Sequence, residues 1–533
     1  MEIWTGRKAQ SETPQRSSWF RRRRKLFGIS LLTLACAYFG LATAFFAWMR
    51  LHRKIAVAYA DILLPNRWPN YRISLGDHFI AKAETDFRQQ RWLEGMHLLR
   101  AGLARSPGNL RGRLLLADGW LAARRTDLAR EVLSGGLSFH ATNPEFVRAL
   151  LALLLSLQRD DECVDLAKLI LSNPDTPPPT RQFAAFAAAS ACYFRGRYEE
   201  ATQYLQRHQV TTHKEGRLLE AQITNERGYP ELALLQLRQL AETFPCDGEI
   251  YTALIQLLNA RGLYSEMRLQ ALSFCIAAPQ DHRSRIDLLQ LSLKADDRSQ
   301  TKRIVAEFLS DFPADATALL ALSSAAARQG AVEITEQIRE HCCSRGLPWE
   351  AAALLVVEAQ IHAGTPARAL ASLEEITGKN RAWDETFGPT LLSLRALVSF
   401  GIGDKPTGQQ CLHRLLTLPD LRAEQLLHLA ESLLAMDAEP AAHTVLQHAI
   451  ALDPLHQAAL TRLLSGEIAR DNLAEAAPLL PRLLAMRKPS ADLLRVAHFK
   501  LSSDRWLFLP ERESLLSQLE TVLEKRTPRT VSR

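Results

Sequence analysis

Residues Leu219–Pro245, LEAQITNERGYPELALLQLRQLAETFP, decide the fold. Ala221 and Ala233 stand twelve residues apart, Leu237 and Leu240 follow, and Phe244-Pro245 closes the stretch. Two antiparallel helices approach closely only where their facing side chains are small. The larger apolar residues at i, i+3 and i+4 then remain for packing against a neighbouring pair. The spacing therefore predicts two helices joined by a turn, with a proline where one pair stops and the next restarts.

Working outward, the same pattern recurs. Phe244-Pro245, Ala278-Pro279 and Phe312-Pro313 place prolines 34 residues apart; Leu347-Pro348 follows 35 later, and Pro419 and Pro454 are again 35 apart. The small pair returns as Ala430 and Ala442, followed by Leu446, Ala449 and Pro454. It returns again as Ala83 and Gly95, followed by Leu99, Gly102 and Pro107. In CYFRGRYEEATQYL, Cys192–Leu205, Gly196 reads as a tight turn between two helices and Ala201 as the small residue inside the second. A self-similar period of this length is the signature of stacked supersecondary units, each burying what its neighbour leaves open.

A 34-residue helix-turn-helix unit with small residues twelve apart and a closing proline resembles the tetratricopeptide repeat family. The match runs from about Gly76 to Pro489, about twelve units, and is less regular around 145–175 and 365–385. The resemblance implies an all-α, right-handed superhelical solenoid. The expected organisation is a basic tail at 1–25, a transmembrane helix at 26–49, a juxtamembrane segment at 50–75, the array at 76–489 and capping helices at 490–533. Pro65 and Pro69 prevent one continuous helix from running into the array, and a polar helix around 511–525 reads as the cap of the last core face.

Charge separates the head from the body. The chain has 533 residues and a net charge of +7. Residues 1–54 carry eleven Lys/Arg against Glu2 and Glu12, a balance of +9, so the remainder sums to −2. The body therefore lacks the basic surface of a nucleic-acid binder. Leu26–Met49, LFGISLLTLACAYFGLATAFFAWM, is free of charge over 24 residues. At 1.5 Å per residue it reaches about 36 Å, enough to cross a hydrocarbon core of about 30 Å. Eight basic residues precede it (Arg7, Lys8, Arg16, Arg21–Arg24, Lys25), against Arg50, Arg53, Lys54 and Arg67 after it. That bias predicts a single-pass protein with a cytoplasmic N-terminus and an extracytoplasmic body, periplasmic in a Gram-negative cell. Ala42-Thr43-Ala44 leaves a cleaved signal peptide as the competing reading, opposed by the apolar residues that continue to Trp48.

Chemistry is not legible. The eight cysteines are scattered without a C-x-x-C, and H-E-x-x-H, G-x-S-x-G and a phosphate-binding G-x-x-x-x-G-K-[ST] are absent. No enzyme activity, cofactor or metal is expected. One constellation remains: Gln222, Gln256 and Gln290 are 34 apart, and Asn225 and Asn259 repeat one turn later. In the resembled family such first-helix positions line a groove, where side-chain amides hold an extended peptide through its backbone. An amide has both a donor and an acceptor, so it satisfies a peptide unit whatever its sequence; amides that merely solvate an exposed face are the alternative. Arg283 and Lys294 are the basic residues available to clamp a terminal carboxylate.

The expected function is a membrane-anchored scaffold binding protein or peptide partners in the cell envelope, held in the bilayer by residues 26–49 and without a nucleic-acid partner. Two alternatives belong to other classes. One is a cytoplasm-facing regulator similar to the repeat protein of lipopolysaccharide assembly, whose terminal cysteine pairs are missing here. The other is a peptidoglycan-acting enzyme on a superhelical support, for which the 44 residues after Pro489 leave too little chain.

Overall fold

The computed structural model describes residues 16–52, 55–379, 383–419 and 421–526. Among the described residues there are 30 α-helices and no strand. They form two compact units, one of residues 1–154 with 170–180 and one of residues 155–169 with 181–533.

The first unit opens with the helix Arg16–Leu51. It begins ahead of Leu26, because the intervening Arg and Lys residues are themselves good helix formers. Residues Ile29–Leu51 make it long and apolar enough to cross a membrane, and only 6% of that window is buried. Residues 50–75 do more than connect. Met49, Ile55 and Val57 bury one another, Thr43 and Tyr59 share a hydroxyl–hydroxyl hydrogen bond of 2.9 Å, and Tyr38 donates to the Leu63 carbonyl. The chain thus doubles back along the helix it has just left. Pro65 opens a 3-10 turn and Pro69 sits in the first turn of Trp68–Arg88, where a missing N–H costs nothing. The array's first helix consequently opens at Trp68 rather than at Gly76. It pairs with Trp92–Leu103, and the pair closes through Gly76 and Gly102; a Cβ on Gly76 would lie 2.7 Å from the Gly102 oxygen. Leu110–Ala122 with Thr126–Ser134 is the next pair.

In the second unit the pairs follow the expected period. Lys214–Glu226 packs on Pro230–Thr243, Gly248–Ala260 on Tyr264–Ala277, Arg283–Lys294 on Arg298–Asp311, and Ala316–Arg328 on Val332–Arg345. Glu350–His362 with Pro366–Lys379, Trp383–Ile402 with Lys405–Leu416, and Ala423–Ala435 with Glu439–Leu452 continue it. The array ends with Gln457–Ala469, Leu473–Ala476 and Leu479–Leu484, then Ala491–Leu501 and Arg512–Arg526. Ala201, Ala221, Ala233, Ala430 and Ala442 are all fully buried, as close helix approach requires. The turns supply a signal that proline spacing does not. Gly228, Gly262, Asp296, Gly330 and Gly364 have left-handed φ at 34-residue intervals, one per pair, where the chain reverses between its two helices. Gln90, Arg124 and Gln158 hold the same conformation at the same interval, which carries the period through the stretch where small residues and prolines fade. The final helix buries Leu515 and Leu519 on its inner side; ahead of it Phe499 and Phe508 are exposed, so the terminal face is less polar than its charged residues suggest.

Candidate functional site

Successive first helices pack on one another: 283–294 on 316–328, 316–328 on 350–362, 350–362 on 383–402, and 383–402 on 423–435. A residue at a fixed position in each helix therefore joins a column running across the layer. Gln222, Gln256 and Gln290 hold the same position in the helices Lys214–Glu226, Gly248–Ala260 and Arg283–Lys294, and the 34-residue series does not stop there. The next members at the same interval are Ser324 and Glu358. One turn later in each helix a second column reads Glu226, Ala260, Lys294, Arg328 and His362.

Gln222, Asn225 and Gln290 are half-buried, whereas Gln256 and Asn259 are exposed. None of the five makes a side-chain hydrogen bond within the described residues, so their amide donors and acceptors are unengaged. The basic residues expected to flank them are committed elsewhere. Arg283 pairs with Asp281 at 3.2 Å and donates to the Gly248 carbonyl, while the Lys294 ammonium lies 5.8 Å from the centre of the Tyr264 ring. A carboxylate clamp at this end of the column is therefore not assembled.

The column leads into a cavity of about 270 Å³. Its lining includes Ser324, Arg328, Glu358, Ser393, His428 and Ser432, drawn from four successive first helices. The amide pattern could not reveal it, because the residue type changes while the position stays constant. Following the 34-residue interval beyond Gln290, rather than the repeated glutamine, would have found Ser324 and Glu358.

Electrostatics differ along the layer. The glutamine stretch is neutral, but the cavity holds Glu358, about a third exposed, 3.9 Å from His362. Burial pushes the Glu358 carboxyl above the usual carboxylate range, against the opposing pull of His362, Arg328 and His428. His428 in turn lies 3.4 Å from Glu424 and 3.8 Å from Glu431. The arrangement can bind a polar chain: hydroxyls, a carboxyl that stays protonated to higher pH than an exposed one, and a guanidinium line one apolar-walled hollow. Among the described residues no three His, Cys, Asp or Glu side chains converge as a metal site would need.

The raised Glu358 carboxyl has a stability consequence with a definite sign. The folded state holds this proton more tightly than the unfolded state does. Stability from Glu358 is thus fully present below its unfolded value and is lost as pH rises through the folded one. Glu358→Gln is expected to raise the melting temperature at pH 7, and the gain should shrink as pH falls through the raised folded value toward the ordinary carboxylate range. Thermal denaturation of both proteins between pH 4 and pH 8 checks it; a gain independent of pH would remove the titration from the explanation.

No protein-family model and no curated protein sequence matches the chain. Among solved structures, it is similar to the pentatricopeptide repeat protein PPR10 from maize, with 14% identity, coverage of 91% of this chain and 86% of that one, and a TM-score of 0.37. It is also similar to a tetratricopeptide repeat protein from Parabacteroides merdae, with 14% identity, coverage of 44% of this chain and 91% of that one, and a TM-score of 0.34.

Proposed function

We propose that the chain is a non-catalytic scaffold that captures an extended segment of a protein partner along its first-helix layer, and that Ile29–Leu51 anchors it in a membrane. The observation that carries the binding reading is the unengaged amide column opening into the Glu358 cavity. Backbone-directed amides give grip without sequence selectivity, and the charged hollow at one end supplies register. The anchor reading rests on a long, apolar, largely unburied helix near the N-terminus with a basic flank before it. With the basic excess on the near side, the repeat body lies outside the cytoplasm and its partner is an envelope or membrane protein.

Replacing Gln222, Gln256 and Gln290 together with Ala is expected to leave helicity and melting nearly unchanged, because surface polar side chains that make no hydrogen bond within the described residues contribute only about 0.5 kcal/mol each. Partner capture in a pulldown from crosslinked cells should fall markedly. Unchanged capture returns those residues to ordinary solvated surface. Topology has its own test. A C-terminal alkaline-phosphatase fusion should be active and a C-terminal fluorescent fusion dark; the reverse outcome would place the body in the cytoplasm and revive the regulator alternative.

A further inference from the structure

The second unit also contains a contact between segments far apart in sequence, Arg487 lying 327 residues from Asp160, and it reaches Glu226, one turn beyond Gln222. The turn between Leu479–Leu484 and Ala491–Leu501 carries Arg487 and Lys488, whose side chains are only 19% and 20% exposed. Arg487 reaches Asp160, which is fully buried, through both nitrogens of its fork: Nη2 donates to Oδ1 at 2.6 Å and Nε to Oδ2 at 3.2 Å. The same guanidinium donates to the Leu155 carbonyl and stacks over the Phe194 ring at 3.9 Å. Arg195 holds the carboxylate from the other side, with Nε 2.8 Å from Oδ2, and its own fork donates to the carbonyls of Gln158 and Ala485.

Lys488 has an equally specific setting. Its ammonium sits 3.3 Å from the centre of the Tyr193 ring and 5.7 Å from that of Tyr198, and pairs with Glu226 at 3.1 Å. Two aromatic faces and one carboxylate around an ammonium select a primary cation, while a planar fork against a carboxylate beside an aromatic ring selects a guanidinium. The two settings are adjacent and ordered, so they read Arg then Lys. A surface pair would need none of this; here the carboxylate is sealed from water and each basic group has both an aromatic wall and an acidic partner.

We propose that residues 155–160, 193–198 and Glu226 form a recognition site for a consecutive Arg-Lys pair. The chain fills this site itself with Arg487-Lys488, and the same site accepts an Arg-Lys segment of a protein partner when that turn is displaced. This proposal does not depend on the amide column or on the membrane anchor.

The test uses the full chain with its own turn disabled, R487A/K488A, and a fluorescent synthetic peptide of residues 480–492. Anisotropy should show binding to the double variant and none to the native chain, whose site is filled. Adding Asp160→Asn should weaken that binding by about tenfold or more. Absence of binding to a double variant with native circular dichroism overturns the proposal, as does equal binding with and without Asp160→Asn. If the double variant does not fold, the native chain decides: a zero-length carbodiimide crosslink should join Lys488 to Glu226, and its absence from the peptide map overturns the proposal.

Discussion

Replacing Asp160 with Ala is expected to lower the unfolding free energy of the second unit by about 3–5 kcal/mol. The carboxylate is fully buried and receives two arginines. Removing it leaves both guanidiniums partly buried without a counter-charge, and the cost of an uncompensated buried charge exceeds the worth of the pair itself. The neighbouring residue is the control. Asp161 pairs with Arg197 at 2.8 Å, but its side chain is 75% exposed, and Asp161→Ala should cost at most about 1 kcal/mol. Urea unfolding followed by circular dichroism measures both. A loss at Asp160 no larger than at Asp161 would mean that the turn carrying Arg487 is not seated in solution.

The second large effect is expected at Phe308. Its ring is fully buried on the helix Arg298–Asp311, packs at 4.8 Å from Phe312 and belongs to the core running from Ala221 to Cys342. Phe308→Ala should cost about 3–5 kcal/mol, part as lost transfer free energy and part as the cavity left behind. Because each pair leans on its neighbours, the loss should spread. Hydrogen exchange should accelerate through 283–345 before it does in 423–469. Ile276→Ala, at a side chain 83% exposed, is the matched control and should stay within about 0.5 kcal/mol. Uniform acceleration over the whole unit would instead describe one all-or-none core.

The sequence alone determined the helix pairs and their interval, because both arise from local rules. Ala221 and Ala233 are small where two helices must touch, Pro245 and Pro279 stop helices that cannot continue, and Leu237 and Leu240 fall on one helical face. Each of those facts involves residues within one unit and survives whatever the rest of the chain does. The charge-free run from Leu26 is legible for the same reason. Even the continuation of the glutamine series was within reach, since Ser324 and Glu358 differ from Gln290 in chemistry but keep its interval.

What only the tertiary structure decided is which distant surfaces meet. In the sequence Asp160 is one of two adjacent acids, and nothing within a turn of it marks Arg487 as its partner 327 residues away. The fold-back of 55–75 onto the helix Arg16–Leu51 and the burial that raises the Glu358 carboxyl are of the same kind. Periodicity fixes the contact each helix makes with the next, but a small change in rotation at every stacked pair accumulates along the array. Whether its far end returns to touch residues 155–226 is therefore set by the sum of all the pairs and by no single one of them.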